Sequence, residues 1–203
     1  MSGGRAFVAD GASGLRVVDV SHPESPRGIS AYDTPGYAYD VRISGGRAYV
    51  ADGDQGLRII DVSDPSVPTE IGHLLPTGQR VDVRGVDVAG SYAYLAAGYD
   101  SGLSVVDISD PKNPREVGNY DTPRNARSVR ISGSYAFVGD SNWLRVFDVS
   151  KPSAPREIAS YKAPANAAGI WIANSTVYVA ARQAGLLILG FEAHPPTIQA
   201  SRR

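Results

Sequence analysis

Short runs of β-branched, aromatic and leucine residues recur along the whole chain, and glycine or proline separates each run from the next. The runs have the length of β-strands, and none keeps the helical period of about 3.6 residues. Apolar runs of this kind, bounded by turn-forming residues, are typical of strands. The pattern therefore predicts an all-β protein made of many short strands.

Four kinds of segment repeat in a fixed order, and we name them A to D. Segment C reads Gly14-Leu-Arg-Val-Val-Asp-Val-Ser-His-Pro23 in one copy and Gly56-Leu-Arg-Ile-Ile-Asp-Val-Ser-Asp-Pro65 in the next. The second copies of A, B and D are Val41-Arg-Ile-Ser-Gly45, Ala48-Tyr-Val-Ala-Asp52 and Glu70-Ile-Gly-His-Leu74. The short A–B connection suits a tight hairpin. The Pro-x-x-Pro element must lie between strands C and D, because proline cannot donate to a β-ladder.

The leucines that open segment C are spaced by 41 to 46 residues, at Leu15, Leu57, Leu103, Leu144 and Leu186. Four antiparallel strands in a repeat of this length are the pattern of a β-propeller blade. We therefore predict a β-propeller of about five four-stranded antiparallel blades over residues 1–192, followed by a C-terminal tail at 193–203. The predicted blade repeats lie near residues 1–30, 31–74, 75–120, 121–161 and 162–192.

The first copy begins at segment B, Arg5-Ala-Phe-Val8, so its blade is expected to lack the inner strand A. A missing inner strand leaves a strand edge unpaired. Three explanations remain open. The chain is the C-terminal piece of a longer propeller with a missing N-terminal segment, it closes as a five-bladed ring despite the gap, or another chain completes the sheet. We favour the first.

The segments Leu15-Arg-Val-Val-Asp19 and Leu57-Arg-Ile-Ile-Asp61 resemble the LVIVD repeat, and the likeness extends over nearly the whole chain. That family occurs in bacterial and archaeal cell-surface proteins and is thought to form propellers. The resemblance therefore implies a propeller fold and a cell-surface or extracellular location. The family has no defined catalytic residues, so the resemblance implies none here.

Composition and charge exclude several classes of site. The chain has no cysteine, which excludes disulfides, thiolate metal sites and cysteine nucleophiles. A formal net charge of -1 gives no basic field for nucleic acid. No apolar run reaches the roughly 18 residues of a membrane helix, and the N-terminus does not resemble a signal peptide. His22, His73 and His194 show no metal-ligand spacing, so we expect no metal and no cofactor.

Differences in repeat length fall in two connections, B–C and D–A. From the leucine of segment C to the next aromatic residue of segment B the step is 34 residues in three cases, but 37 from Leu57 to Tyr94. In an up-and-down blade the B–C and D–A connections leave the sheet at the same end. We call this end the variable face. Loops that vary on a constant scaffold are common sites of binding specificity, although drift without function is the alternative.

The candidate binding residues on the variable face are aromatic residues, arginines and one aspartate, and the first two types are enriched at binding hot spots. They are Tyr37, Tyr39, Arg80, Arg84, Tyr99, Asp100, Arg124, Arg127, Trp143 and Arg182.

The arginines Arg80, Arg84 and their two counterparts in the next repeat would bind a carboxylate or phosphate if they converge near the axis. The alternative is that they are solvated or pair with Asp40 and Asp87. The resulting hypothesis is a non-enzymatic module that binds a protein or glycan partner through the variable face. The alternative hypothesis is a hydrolase or lyase with its active site at the axial mouth of that face.

One aspartate interrupts the apolar run of segment C in the first four copies, at Asp19, Asp61, Asp107 and Asp148. The fifth copy has Gly190 instead and also lacks the Ser-x-Pro-x-x-Pro turn. Because the aspartate and the turn disappear together, we expect these carboxylates to accept hydrogen bonds from the turn. Their predicted role is structural, not metal binding or proton transfer.

Overall fold

The computed structural model describes residues 4–193 and 196–200, and its regular structure is almost entirely antiparallel β-strand. The predicted all-β class is confirmed. The strands fall into five consecutive units, which are β1 (Arg5–Ala9), β2 (Leu15–Asp19) and β3 (Arg27–Tyr32); β4 (Asp40–Ser44), β5 (Arg47–Ala51), β6 (Leu57–Asp61) and β7 (Thr69–Leu74); β8 (Val81–Ala89), β9 (Tyr92–Gly98), β10 (Leu103–Asp107) and β11 (Arg115–Tyr120); β12 (Ala126–Ser132), β13 (Tyr135–Asp140), β14 (Trp143–Asp148) and β15 (Arg156–Lys162); and β16 (Gly169–Ala173), β17 (Thr176–Ala180), β18 (Leu186–Ala193) and β19 (Pro196–Ala200). A short 3-10 helix, Arg182–Ala184, precedes β18. Within the described residues, no helix is long and apolar enough to cross a membrane.

The second unit shows the arrangement of one repeat. Its sheet order is β4-β5-β6-β7, and Val50 of β5 lies opposite Val41 of β4 and Arg58 of β6. The four strands coincide with segments A to D. In the first four units the pairing of segments C and D shifts register at the centre of segment C, as between Ile59 and Ile60. Such a bulge increases the local twist of the sheet.

The two terminal units differ from the repeat. In the described residues the first unit has only three strands, in the order β1-β2-β3, as the missing segment A led us to expect. The fifth unit has four, because β19 pairs with β18, although we had placed residues 193–203 in a tail. The β19 signal is weak in the sequence because Ile198 is its one residue packed against the core shared with the fourth unit.

Backbone hydrogen bonds join successive units close to the start of segment A. The Gly53 N–H donates to the Val83 carbonyl at 3.0 Å, and the Val83 N–H donates to the Gly53 carbonyl at 2.8 Å. Equivalent links are Gly11 with Ala38, Gly98 with Ala126, and Ser141 with Ala167. These links set the inner strands of the second to fifth units side by side.

The core consists of four apolar clusters, one between each pair of successive units. Between the second and third units, fully buried Leu57 and Ile59 share a cluster with fully buried Leu95 and Val106. A middle unit is covered on both faces, and a strand covered on both faces is apolar at successive positions. This explains why segments B and C do not alternate cleanly between polar and apolar residues.

The aspartate at the end of segment C accepts a hydrogen bond from the backbone N–H of the serine two residues later. The donor–acceptor distance is 2.9 Å in each of the pairs Asp19–Ser21, Asp61–Ser63, Asp107–Ser109 and Asp148–Ser150. These are the bonds that an Asx turn requires. Hydrogen bonds from Ser63 lower the pKa of Asp61 below its ordinary value of 3.8.

Replacing Asp61 by alanine should lower the melting temperature of the protein and leave ligand binding unchanged. A lowered carboxyl pKa stabilises the fold above the pKa of the unfolded chain, and this stabilisation is lost as the pH falls through the folded pKa. The difference between variant and wild type should therefore be present at neutral pH and shrink in acid. Thermal unfolding followed by circular dichroism measures it, and equal melting temperatures at pH 7 contradict the structural role.

Candidate functional site

Three of the predicted candidates meet on the variable face. The ring centroids of Tyr37 and Tyr39 lie 4.8 Å apart, and the Arg84 guanidinium carbon lies 4.7 Å from the centroid of the Tyr39 ring. Arg84 is also fixed by Asp82, whose Oδ2 lies 2.7 Å from Arg84 Nε. Tyr37 is 51% exposed and Tyr39 is 40% exposed. We call Tyr37, Tyr39 and Arg84 the tyrosine–arginine cluster.

The repeat itself brings this cluster together. Tyr39 and Arg84 directly follow the linking residues Ala38 and Val83, and each lies two residues before the first valine of segment A, Val41 or Val86. Because neighbouring inner strands run side by side, equivalent positions of adjacent units become neighbours. Arg127 holds the same position in the fourth unit, and among the described residues its buried Nε has no hydrogen-bond partner.

A second group on the variable face is formed by Arg80, Tyr99 and Asp100. The Arg80 guanidinium makes two hydrogen bonds to Asp100, of 3.0 Å from Nε and 2.9 Å from NH2. Its guanidinium carbon lies 5.5 Å from the centroid of the Tyr99 ring, which is half exposed. The hydrogen bonds from Arg80 lower the pKa of the Asp100 carboxyl. The Asp100 carboxylate in turn neutralises the charge of Arg80 locally. This group offers an aromatic surface more than a free cation.

The remaining candidates do not join either group. Trp143 is half-buried and lies against Arg145, whose guanidinium carbon is 5.5 Å from its ring centroid. Arg124 and Arg182 are exposed and form no salt bridge within residues 4–193 and 196–200.

The alternative that Arg80 and Arg84 pair with Asp40 and Asp87 is wrong. Arg80 and Arg84 pair with Asp100 and Asp82 instead. Asp40 and Asp87 face other arginines, because alternate side chains of the inner strands point toward the centre of the molecule.

These inner-strand residues form a second candidate site, which we call the axial cluster. Asp40 bridges two arginines, with Oδ1 at 3.1 Å from Arg42 NH1 and Oδ2 at 3.3 Å from Arg130 NH1. Asp87 Oδ1 lies 3.3 Å from Arg42 Nε, and Asp87 Oδ2 accepts a 2.7 Å hydrogen bond from the Ile131 N–H. The cluster thus links the inner strands of three units through alternating charges.

Sequence reasoning missed the axial cluster, although a signal was present. Arg42, Asp87, Arg130 and Trp171 hold the same repeat position, each between two β-branched residues of segment A. A cavity of about 360 Å³ is lined by Arg42, Asp87, Arg130, Ile131, Trp171 and Ile172. A charged residue at the centre of an innermost strand is the pattern that marks such an axial group.

Burial dominates the titration of both axial carboxyl groups, and it raises the pKa of Asp40 and of Asp87 above 3.8 despite their arginine partners. A folded state with a raised carboxyl pKa binds protons more readily than the unfolded chain. Stability therefore falls as the pH rises from the unfolded pKa through the folded pKa.

Replacing Asp87 by asparagine should make the free energy of unfolding decline less steeply with pH above pH 3.8. The change in slope is bounded by about 1.4 kcal/mol per pH unit for one proton. Urea denaturation at several pH values between acid and neutral measures it. The control is Asp61→Asn, because the lowered pKa of Asp61 places its effect below this range. An Asp87→Asn slope equal to that of the wild type contradicts the prediction.

Metal-ligand geometry is not found in the part of the chain that the structure describes, where no three His, Asp or Glu residues are grouped to hold an ion. His194 lies outside the described residues. Asp52, which the sequence places near Asp54, is fully buried and accepts hydrogen bonds from Thr34 Oγ1 at 2.6 Å and the Gly36 N–H at 3.0 Å. The Asp52 carboxylate thus stabilises the loop between the first two units through these hydrogen bonds.

Solved structures resemble the chain in fold but not closely in sequence. The Pseudomonas aeruginosa periplasmic gluconolactonase PpgL matches with a TM-score of 0.82 and 16% identity, over 98% of this chain and 67% of that one. A putative 6-phosphogluconolactonase from Bacteroides fragilis matches with a TM-score of 0.83 and 12% identity, over 100% and 67%. A computationally designed protein matches with a TM-score of 0.67 and 11% identity, over 92% and 54%. This chain therefore spans about half to two thirds of the structures it resembles, and the likeness concerns the fold alone.

The comparison of sequences is more specific. No curated protein gives a significant match. The family model of the LVIVD repeat matches four times, at residues 1–34, 35–75, 81–122 and 123–163. These four matches follow the first four structural units, and together they cover most of the chain. The protein belongs to the LVIVD repeat family.

Proposed function

We propose that this protein is a β-propeller of about five LVIVD-repeat blades that acts as a non-enzymatic interaction module. It binds a protein or glycan partner through the variable face, at the cell surface or outside the cell. The tyrosine–arginine cluster forms the centre of the binding site. The observation that carries the proposal is the exposure of two neighbouring tyrosine rings, tilted by 41° to each other, one of which packs against the guanidinium of Arg84.

The physical argument is one of preorganisation. An exposed tyrosine that is free to rotate loses conformational entropy when it binds, whereas a ring fixed in advance loses less. Tyr39 is held between the Tyr37 ring and the Arg84 guanidinium, and Arg84 is in turn held by Asp82. Tyrosine and arginine dominate binding hot spots. Tyr37 and Tyr39 lie in a D–A connection, and Arg84 lies in strand β8 just after the D–A connection that is longer than the others.

The proposal is tested with a glycan array and a pull-down of protein partners. Three proteins are compared: the wild type, the joint variant Tyr37→Ala/Tyr39→Ala/Arg84→Ala, and a control variant. The control is Val67→Ala/Lys112→Ala/Lys151→Ala, which alters exposed residues of the C–D turns at the opposite face. We expect a ligand that the wild type and the control retain and the joint variant loses. Equal retention by all three proteins contradicts the proposed site.

A hydrolase or lyase active at the axis is the second candidate, and the axial cluster favours it. Carboxyl groups with raised pKa values that lie beside arginines in a cavity are common in active sites. Asp87 has this setting, and Asp40 shares the raised pKa and the arginine neighbours. The names of two structurally similar proteins refer to gluconolactonases, but the likeness to them supports the fold only.

Lactone and ester substrates assayed with wild type and Asp87→Asn distinguish this candidate. Turnover by the wild type that the Asp87→Asn variant loses would favour the enzyme. Background rates for both proteins would leave the interaction module as the better account.

A further inference from the structure

Arg127 is the one described arginine that has both a buried Nε atom without a hydrogen-bond partner and no salt bridge. The residue is half-buried at the start of β12. Arg58 and Arg130 also have a buried Nε without a partner, but both of them pair with carboxylates. A partly desolvated cation without a counter-ion costs the fold free energy. An anion from outside the chain would therefore stabilise Arg127.

A β-bulge places Arg127 outside the regular ladder between β12 and β13. Its neighbours Ala126 and Ser128 lie opposite consecutive residues of β13, so Arg127 is the extra residue without a partner across the strands. Bulges re-aim side chains and are frequent next to functional sites. The carboxylate of Asp140, which lies opposite Ala126, is fully buried and pairs with Arg145 at 2.7 Å. The bulge thus presents a cation to which the described part of the chain supplies no counter-ion.

Arg127 also lies next to the tyrosine–arginine cluster. It holds the same repeat position as Arg84 in the neighbouring unit, and a Cβ atom added to Gly85 would lie 3.0 Å from the Arg127 carbonyl oxygen. Arg84 has Asp82 as its counter-ion, so the positive charge of Arg127 is left uncompensated beside the cluster. On the other side, the fifth unit carries the exposed residue Ala168 at this repeat position, and its methyl group offers no counter-charge.

We infer that Arg127 binds the carboxylate of an acidic glycan, one of whose sugar rings packs on Tyr37 and Tyr39. The inference rests on the proposed function and names the ligand class for the same face. A guanidinium pairs with a carboxylate through two charge-assisted hydrogen bonds. The exposed tyrosine rings offer apolar faces that match the C–H face of a pyranose.

The polar groups around the tyrosine rings favour a glycan over an apolar protein surface. Sugar hydroxyl groups both donate and accept hydrogen bonds, and the Asp82 carboxylate and the Arg84 guanidinium supply acceptors and donors for them next to the Tyr39 ring. Arg127 belongs to the unit after that of Arg84, so the bound carboxylate belongs to a sugar beside the one on the tyrosines. The ligand is therefore an oligosaccharide of uronic acids rather than a single sugar.

Calorimetric titration with uronic acid tetramers tests the inference. The probes are the tetramers of glucuronic, galacturonic, mannuronic and guluronic acid, each compared with its methyl ester, which removes the charge and keeps the sugar. The proteins are the wild type, Arg127→Met and the control Arg115→Met. Arg115 is an exposed arginine beside the C–D turn of the third unit, and it forms no salt bridge in the part of the chain that the structure describes.

We expect at least one acid tetramer to bind the wild type and Arg115→Met equally, and to bind Arg127→Met about tenfold more weakly or less. The methyl ester of that tetramer should bind the wild type with the same reduced affinity. Arg127→Met should also keep the melting temperature of the wild type, because it removes a charge without a counter-ion. A fall in the melting temperature would assign Arg127 a structural role and overturn the inference.

The binding data can overturn the inference in three further ways. No binding of any acid tetramer does so, as does equal binding of acid and ester, or equal binding by the wild type and Arg127→Met. The screen of the proposed function separates the two claims. A neutral glycan or a protein partner that the joint variant of the tyrosine–arginine cluster loses, with no uronic acid tetramer bound, would leave the proposed function standing and this inference wrong.

Discussion

Replacing Arg145 by methionine is expected to lower the free energy of unfolding by about 3–5 kcal/mol, the typical result of removing one partner from a buried ion pair. Arg145 lies between two carboxylates of the fourth unit. Its Nε is 2.7 Å from Asp140 Oδ2, and its NH1 is 2.9 Å and 3.0 Å from the two carboxylate oxygens of Glu157. The Asp140 side chain is fully buried, so methionine would leave its charge without compensation.

Burial already raises the pKa of Asp140 above 3.8, and the arginine opposes that rise. Without Arg145 the folded pKa should rise further, so the destabilisation should be smaller in acid, where Asp140 is neutral, than at neutral pH. Urea denaturation at both pH values measures the difference. A loss below about 1 kcal/mol at neutral pH is the value expected of an exposed pair, and it would show that this network is not a buried one.

The third unit supplies a natural control for this prediction. It carries Ala97 and Ser104 at the positions of Asp140 and Arg145, so the aspartate and the arginine are absent there together. The double variant Asp140→Ala/Arg145→Ser should therefore be more stable than Arg145→Met alone, because it leaves no buried charge unpaired at position 140. If the loss of stability in the double variant equals the sum of the losses in Asp140→Ala and Arg145→Ser, the two residues are not coupled.

Replacing Gly56 by alanine is the second large effect that we expect, a loss of about 2–5 kcal/mol. Gly56 has a φ of +80°, and a Cβ atom there would lie 2.3 Å from the carbonyl oxygen of Leu74. The substitution thus combines a left-handed backbone with an overlap against the backbone of strand β7. The turn that opens segment C would have to shift.

Gly185 separates these two causes. It holds the same repeat position in the fifth unit with a φ of +73°, but no atom lies within 4 Å of an added Cβ. Gly185→Ala should therefore lose only the conformational part, about 1–2 kcal/mol. Thermal and urea unfolding of both variants give the comparison. If Gly185→Ala is as destabilised as Gly56→Ala, the close approach of Leu74 is not the cause.

Much of the fold could be predicted from the sequence because the repeat supplies several registered copies of the same pattern. Leu57-Arg-Ile-Ile-Asp61 is apolar at successive positions, and this is the physical signature of a strand covered on both faces. Residues 197–200 show at most a weak segment D in the sequence, because Ile198 is the one residue of β19 that packs against the core. The residues before β1 gave no segment A, and the first sheet accordingly has three described strands.

The candidate site was less predictable, since it depends on contacts between repeats. The residue types and the face could be named from the sequence, but the contacts of Tyr39 with Tyr37 and Arg84 depend on how adjacent inner strands align. The axial pairing of Asp40 with Arg130 joins residues far apart in sequence, across two units. A repeat pattern shows that such positions are equivalent, but it does not show which of them touch.

The most direct test of the central claim is calorimetric titration of a ligand identified in the glycan or protein screen. The titration compares the wild type, the joint variant of Tyr37, Tyr39 and Arg84, and the C–D turn control. Binding at the tyrosine–arginine cluster predicts a dissociation constant about a hundredfold higher for the joint variant and an unchanged constant for the control. A joint variant that binds the ligand as tightly as the wild type would contradict the proposal that the variable face is the binding surface.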